Sequence, residues 1–109
     1  MNHKHILITT TTESREHAGE MARTLIDENL AACIEIHTVD SLYRWKGAVC
    51  DTVEYVLLIK TRVDLYDQVE SRIQALHTYD LPQIIAIPII AGLPGYLNWI
   101  DHETGKQAS

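Results

Sequence analysis

Two segments of the chain repeat their apolar residues with the spacing of an α-helix. In the first segment the repeats fall at Ala18, Met21, Ala22, Leu25 and Ile26. In the second they fall at Leu65, Val69, Ile73 and Leu76. Spacings of three and four positions place side chains on one face of a helix. We therefore predict two helices, each with one buried face.

Polar residues mark the ends of both predicted helices. Residues 11–14 supply hydroxyl groups that can cap the first helix, and Glu16 places negative charge in its first turn. Asn29 suits the carboxyl end of that helix. For the second helix we predict Asp64 as the amino-terminal cap, and Pro82 forces the residue before it out of the helical region.

Runs of β-branched and aromatic residues predict four strands. The first covers 6–10, and the fourth covers 83–90. Between the helices lies a long hairpin, with one arm in two pieces (30–37 and 42–46), a turn at Gly47 and a return arm that ends at Lys60. Because its arms are longer than the other strands, the hairpin should project, and a projecting ribbon needs a surface to pack on.

The element order βαββαβ predicts an α+β fold with a ferredoxin-like antiparallel sheet and two helices on one face. A short closing helix is predicted at 96–100, and residues from Thr104 onwards are expected to fray. Segments 55–59 and 84–90 are apolar at both alternating sets of positions, so the second face of the sheet should also be apolar. We therefore predict a homo-oligomer that buries this face, with the hairpin arms reaching onto neighbouring copies.

Composition and charge narrow the function classes. The 109 residues predict a single domain, 1–109, with an ordered core at about 4–102. A net charge of −6 argues against nucleic acid as a partner, and no apolar run approaches the length of a membrane helix or a signal peptide. Cys33 and Cys50 form no CxxC pair and suit free thiols in a cytoplasmic protein.

Several short motifs, in order along the chain, resemble the CutA divalent-cation tolerance family. They are Thr9-Thr10-Thr11, Leu30-Ala31-Ala32-Cys33, Tyr43-x-Trp45-x-Gly47, Glu54 with Lys60-Thr61, His77-x-Tyr79-x-x-Pro82-x-Ile84, and Tyr96-Leu97-x-Trp99. The resemblance implies a cytoplasmic homotrimer of ferredoxin-like subunits, similar in architecture to PII signalling proteins. It also implies a link to tolerance of copper and other divalent metals.

The chain departs from the family at some positions implicated in copper binding. Some members are thought to use a cysteine at the end of the first strand and one or two histidines before the Tyr-x-x-Pro segment. Here Thr10 and Leu76 stand at two of these positions, which leaves His77 alone. Gln83 stands where the family usually has an acidic residue after the proline.

The candidate metal ligands are His77, Glu54 and His3, and the candidate ions are Cu(II) and Zn(II), with no organic cofactor. His77 could instead complement the carboxyl end of the second helix, and a lone histidine favours this structural role. His3 could complete a planar chelate with the free amine and two amide nitrogens of an unblocked amino terminus, which would suit Cu(II). A terminus without any metal role is the alternative.

Glu54 and Lys60 lie on the same face of one strand, about 20 Å apart, so each needs a partner elsewhere. We predict a cleft between subunits that contains Glu54, Lys60, His77 and Tyr79. An ion pair at an interface is the alternative. Tyr43 and Trp45 alternate with basic residues and, with Gly47 at the turn, predict an arm whose aromatic face docks on a neighbour.

Two other function classes remain open at this point. An enzyme is disfavoured because no nucleophile–base set, phosphate-binding glycine loop or HExxH motif is visible. An acylphosphatase would need a glycine-containing loop with an arginine after the first strand, and residues 10–15 contain no glycine. A PII-like trimeric regulator or scaffold, which binds a small effector or a partner protein at subunit clefts, is the more serious alternative.

Overall fold

A computed structural model describes residues 3–105 of the protein. It contains four strands, three α-helices and one 3-10 turn in the predicted order. The strands are β1 (His5–Thr12), β2 (Cys33–Trp45), β3 (Ala48–Arg62) and β4 (Ile85–Pro88), and the helices are α1 (Arg15–Asp27), α2 (Tyr66–Leu76) and α3 (Pro94–Glu103). The strands form one antiparallel sheet in the order β2-β3-β1-β4. The predicted ferredoxin-like fold is confirmed.

Helix α1 begins and ends as its flanking residues predict. The Ser14 hydroxyl accepts a hydrogen bond from the His17 amide at 3.1 Å. At the other end Asn29 adopts φ 59°, and the Leu30 amide donates to the Leu25 carbonyl at 2.9 Å. This left-handed ending satisfies carbonyl groups that the helix leaves free, and it turns the chain toward β2.

The predicted cap of the second helix is wrong. Asp64 lies inside a 3-10 turn, Val63–Leu65, and α2 begins only at Tyr66. Instead of capping the helix, the Asp64 carboxylate accepts a hydrogen bond from Arg62 Nη1 at 2.6 Å. Arg62, the last residue of β3, therefore binds the carboxylate that was predicted to cap the helix.

The hairpin of β2 and β3 is more continuous than predicted, although β2 begins at Cys33 and not at residue 30. The two strands have 13 and 15 residues, and the ladder runs through the expected interruption, where Asp40 pairs with Val53 and Ser41 with Thr52. Cross-strand pairing thus overrides the low strand propensity of these residues. Lys46 (φ 51°) and Gly47 (φ 83°) form the two-residue turn, and residues 42–49 are all exposed.

The main core lies between the sheet and the two helices α1 and α2. Ile8, Leu57 and Ile59 from the central strands are fully buried there. They face helix residues that are also fully or almost fully buried, namely Met21, Leu25, Val69 and Ile73. The helical stripes predicted from the sequence are therefore the packing surfaces of this core, except that Ile26 is 37% exposed.

Strand β4 is shorter than the predicted segment 83–90. It forms an edge of the sheet and ends at Pro88, although the Ile89 amide still donates to the His5 carbonyl at 3.0 Å. Ile85 and Ile87 point to the second face of the sheet, because they pair with Thr9 and Leu7 of β1. Their exposures are 50% and 46%, so this part of the second face is open in the single chain.

Helix α3 packs on one end of the second face and extends further than predicted. His5 Nε2 lies 2.9 Å from Asp101 Oδ1, and Arg62 Nε donates to Thr104 Oγ1 at 2.8 Å. Thr104 is only 5% exposed, so the expectation that it frays is wrong. Residues 106–109, for which fraying was also expected, lie outside the described residues. Within residues 3–105, no helix is long and apolar enough to cross a membrane.

Candidate cation site at the hairpin end

A cleft of about 580 Å³ lies between the hairpin and the loop that follows α2. Its lining includes Tyr43 and Trp45 from β2, Glu54 from β3, and Thr11 from the end of β1. The loop contributes Tyr79 and Asp80. We call this space the hairpin cleft.

The strand register explains why these residues meet. Val39 pairs with Glu54 and Thr11 with Val56, and side chains alternate between the two faces of a sheet. Tyr43, Trp45, Glu54 and Thr11 therefore all belong to the second face, away from α1 and α2. They lie at its hairpin end, whereas α3 covers the opposite end.

Glu54 lies at the base of the hairpin cleft and is only 5% exposed. The Tyr79 hydroxyl donates a hydrogen bond to Glu54 Oε2 at 2.7 Å. Burial, and then this hydrogen bond to Glu54, raises the pKa of Tyr79 and keeps its phenol protonated. No lysine, arginine or histidine within residues 3–105 lies close enough to form an ion pair with Glu54.

His77 lies beside this pair, with its ring 4.6 Å from the Tyr79 ring between centroids. The Tyr79 amide donates to His77 Nδ1 at 3.1 Å, so the proton of the neutral ring is on Nε2, which donates to the Thr11 carbonyl at 2.7 Å. Burial lowers the pKa of His77, which favours this neutral form. Both ring nitrogens are thus engaged by backbone groups, and a metal could reach Nδ1 only by displacing the Tyr79 amide.

Lys60 lies apart from the hairpin cleft within one chain. Its ammonium group forms an ion pair with Glu35 Oε1 at 2.9 Å and contacts the Tyr96 hydroxyl at 3.4 Å. The hydrogen bond with Glu35 raises the pKa of Lys60. Of the four residues predicted to share a cleft, the structure brings Glu54, His77 and Tyr79 together and places Lys60 at the α3 end.

His3 is half-buried at the start of the described residues. Met1 and Asn2, which would supply the other nitrogens of the predicted chelate, lie outside them. Among residues 3–105, no three histidine, cysteine or acidic side chains are grouped closely enough to hold a metal ion. Any metal bound within one chain would therefore have few protein ligands.

The two cysteines are free thiols. Cys33 pairs with Lys60 in the ladder and Cys50 with Tyr43, so the two cysteines lie ten ladder positions apart. At about 3.3 Å per residue this separation far exceeds the reach of a disulfide within one chain. This geometry agrees with the prediction that Cys33 and Cys50 are free thiols.

Sequence reasoning did not identify Thr11 and Asp80 as parts of the cleft. Thr11 enters it because β1 lies next to β3, which only the sheet order reveals. Asp80 follows Tyr79 directly, and its position after the end of α2 was the one available signal. His17 was also missed, although its ring meets the His77 ring edge-on with centroids 6.0 Å apart.

Comparison with known proteins identifies the family. The model of the CutA1 divalent ion tolerance protein family matches residues 6–103. The chain belongs to this family. The divalent-cation tolerance protein CutA of Thermus thermophilus is 39% identical over 100 residues, which cover 91% of this chain and 97% of the relative. The resemblance noted from the motifs is thereby confirmed.

Other CutA proteins show how widely the fold occurs. The chloroplastic protein CutA of Arabidopsis thaliana is 37% identical over 100 residues, which cover 91% of this chain and 55% of the relative. The structure of the periplasmic divalent cation tolerance protein CutA of Archaeoglobus fulgidus superposes with a TM-score of 0.90 at 36% identity, covering 92% of this chain and 98% of that one. The fold of the described chain is therefore that of the CutA family.

Proposed function

We propose that the protein acts in tolerance of divalent metal ions as a non-catalytic, cytoplasmic homotrimer that binds Cu(II) or Zn(II) weakly at the hairpin cleft. Membership of the CutA family supports the link to divalent ions. The location of the metal within the molecule rests on one observation, which is the environment of Glu54.

Glu54 is a buried carboxylate whose one hydrogen bond in the described chain comes from a neutral phenol. A buried charge is costly unless an opposite charge or a metal compensates it. A divalent cation at the cleft would supply that compensation, and Zn(II) accepts carboxylate oxygen as a ligand. Since Glu54 offers one carboxylate and His77 is engaged by backbone groups, binding within one chain should be weak.

The proposed trimer is supported by the apolar residues that the single chain leaves exposed on its second sheet face. Besides Ile85 and Ile87, the hairpin exposes Leu42 (69%) and Val49 (66%) on its other side. Apolar side chains exposed on two sides of the chain in this way favour burial against further copies. Sedimentation equilibrium should give three times the chain mass for the wild type and a lower mass for Ile87→Asp. Val63→Asp, at a position that is 47% exposed within the 3-10 turn, serves as the matched control.

The cytoplasmic and non-catalytic parts of the proposal have separate support. The two free cysteines suit a reducing compartment. The relatives differ in their cellular location, since the Arabidopsis protein is described as chloroplastic and the Archaeoglobus protein as periplasmic. Fractionation of the native host tests the location, and recovery in a periplasmic or organelle fraction would refute it. His77 is poorly placed for acid–base chemistry, because backbone groups engage both of its ring nitrogens.

Calorimetric titration with Zn(II) and Cu(II) tests the metal site. All proteins carry His3→Ala, so that the predicted amino-terminal chelate does not contribute. Glu54→Gln should lose most of the binding, because the amide carries no charge. Glu70→Gln is the matched control, since Glu70 also accepts a hydrogen bond from a tyrosine, Tyr66, at 2.7 Å but lies on α2. Equal binding by Glu54→Gln and Glu70→Gln would refute the site.

A further inference from the structure

We propose that the aromatic face of the hairpin in one copy docks on the exposed rings of α3 in the next copy, so that a partner subunit closes each hairpin cleft. The inference rests on the homotrimer of the proposed function and adds which two surfaces meet in it. These surfaces are the hairpin ring pair, Tyr43 and Trp45, and the α3 ring pair, Tyr96 and Trp99.

The four rings are the exposed aromatic side chains of the single chain. Among residues 3–105, every other tyrosine is at least half-buried, whereas these four residues are 38–42% exposed. A tyrosine or tryptophan buries about 150–250 Å² when it is covered, and both residues are enriched at protein interfaces. The chain therefore presents two aromatic surfaces that a partner can cover.

The two ring pairs lie on the same face of the sheet but at opposite ends. Lys60 contacts the Tyr96 hydroxyl at 3.4 Å, which places the α3 ring pair at the Lys60 end. In the hairpin ladder Lys60 pairs with Cys33, ten positions before Tyr43. At about 3.3 Å per residue, this separation is roughly 33 Å. The two pairs can therefore meet only between chains.

The symmetry of a trimer requires two different surfaces of this kind. Copies related by a three-fold axis contact each other through unlike patches, and such a head-to-tail contact closes into a ring. The two ring pairs belong to the face that the proposed trimer buries, and they occupy different places on it. Contact between like hairpins would arise only at the axis itself, where three tips would converge.

The charges beside the two ring pairs have opposite signs. Lys46 Nζ lies 5.9 Å from the centroid of the Trp45 ring, and Lys46 forms no ion pair within the described chain. At the other end, Lys60 is already paired with Glu35, whose side chain is still 49% exposed, and Glu103 is exposed in the last turn of α3. Complementary charges guide association and fix the register of a contact.

The contact would complete the candidate cation site. Tyr43, Trp45 and Glu54 line the hairpin cleft from one chain. Docking of the partner's α3 on the two rings would exclude water from the cleft, and the attraction between a carboxylate and a cation is stronger where water is excluded. The site would then lie at the boundary between two subunits, with Tyr96 and Trp99 of the partner subunit as its outer wall.

Cross-linking of introduced cysteines tests the contact. All variants carry Cys33→Ser and Cys50→Ser, which removes both natural thiols. Trp45→Cys and Trp99→Cys are then combined in one chain, and the protein is treated with a short bis-maleimide. Because the contact repeats around the ring, a denaturing gel should show covalent dimers and trimers. Chains that carry only one of the two introduced cysteines should remain monomeric on the gel.

Trp45→Cys combined with Gln68→Cys is the matched control. Gln68 is exposed on α2, on the other side of the sheet, so this variant should form no covalent dimers or trimers. Sedimentation before cross-linking verifies that each variant is trimeric. If the chain with Trp45→Cys and Trp99→Cys is not trimeric, Tyr43→Cys with Tyr96→Cys replaces it with the same expected result.

The fluorescence of Trp45 gives a second measurement. The chain has two tryptophans, so in Trp99→Phe and in Trp99→Leu the emission comes from Trp45 alone. Trp99→Phe keeps a ring in the contact, and Trp45 should be shielded from acrylamide in that trimer. In Trp99→Leu, quenching of Trp45 should be stronger and its emission should shift to longer wavelength.

Two results on trimeric protein would overturn the inference alone. One is cross-linking of Trp45→Cys by itself, since the hairpins would then meet each other. The other is the absence of covalent dimers and trimers from the chain with both cysteines, together with equal quenching of Trp45 in the two Trp99 variants. A wild-type protein that sediments as a single chain would instead refute the proposed trimer, and this contact with it.

Discussion

The two ends of the second sheet face differ in how their charges are compensated. At the α3 end, Lys60 pairs with Glu35, His5 contacts Asp101, and the Arg62 guanidinium binds Thr104. At the hairpin end, Glu54 is buried with a neutral tyrosine as its hydrogen-bond donor and with no basic partner among residues 3–105. Polar groups at the α3 end thus hold α3 on the sheet. At the hairpin end, the Glu54 carboxylate is left for a partner that does not belong to the same chain, such as the proposed metal ion.

The same contrast appears in the aromatic residues. Tyr96 and Trp99 at the α3 end contact each other, with ring centroids 5.5 Å apart, and Lys60 lies 5.6 Å from the Tyr96 ring. At the hairpin end the rings of Tyr43 and Trp45 border an open cleft. All four rings are about two-fifths exposed, but those at the α3 end contact each other and Lys60, whereas those at the hairpin end border a cleft.

The largest expected effect is on packing at the α3 end. Ile100 is fully buried, so Ile100→Ala should lower the free energy of unfolding by about 2–5 kcal/mol. Leu42→Ala in the hairpin, at a position that is 69% exposed, should change it by less than about 0.5 kcal/mol in the isolated chain. Urea unfolding measures both. A cost for Leu42→Ala as large as that for Ile100→Ala would contradict the contrast, unless sedimentation shows that the variant has also lost its assembly.

A moderate effect is expected at the Arg62 contact. Thr104→Val removes the oxygen that accepts a hydrogen bond from Arg62 Nε, and the free energy of unfolding should fall by about 0.5–1.5 kcal/mol. Thr24→Val is the control, because the Thr24 hydroxyl also donates to a carbonyl of its own helix but forms no hydrogen bond with an arginine of residues 3–105. If both variants unfold at the same urea concentration, the contact does not hold α3 in place.

A smaller effect of opposite sign is expected at the hairpin end. Glu54→Gln keeps an oxygen that can accept the Tyr79 hydrogen bond and removes a buried charge. The free energy of unfolding should therefore stay constant or rise, by no more than about 1 kcal/mol. Thermal unfolding in metal-free buffer measures this change. A clear loss of stability would mean that Glu54 is a structural residue and would weaken the contrast between the two ends.

The smallest expected effect is a pH dependence from His77. Because burial lowers the pKa of His77 in the folded chain, the unfolded chain binds more protons below about pH 6.5. Its contribution to stability is complete above that value and is lost as the pH falls toward the lowered pKa. Urea unfolding at pH 7.5 and pH 5 should show a smaller difference for His77→Gln than for the wild type. The same change at the exposed residue His102 is the control, and an unchanged difference in His77→Gln would refute the assignment.

The sequence predicted the helices and strands, and their order along the chain, well because these depend on local patterns of apolar and polar residues. The stripes of α1 and α2 became the core, and Asn29 ended α1 as expected. The interruption of β2 was wrong because pairing along the hairpin outweighs the local preference of Asp40 and Ser41. Fraying was wrongly predicted at Thr104 because the contact that holds this residue comes from Arg62, which lies 42 positions earlier in the chain.

The candidate site was predictable only in part. Glu54 and Tyr79 were identified from the motifs, and the structure joins them directly. Lys60 was assigned to the same cleft, but it forms an ion pair with Glu35. Across the ladder Lys60 is paired with Cys33, and Glu35 lies two positions further along the same strand. Such a diagonal contact depends on the strand register, which the composition of the two strands does not specify.

The most direct test of the account is an anomalous difference map from crystals of the protein grown with Zn(II). The account predicts a zinc peak about 2.0–2.2 Å from a carboxylate oxygen of Glu54, inside the hairpin cleft. Peaks confined to the amino terminus or to the α3 end, with the Glu54 carboxylate free of metal, would contradict it.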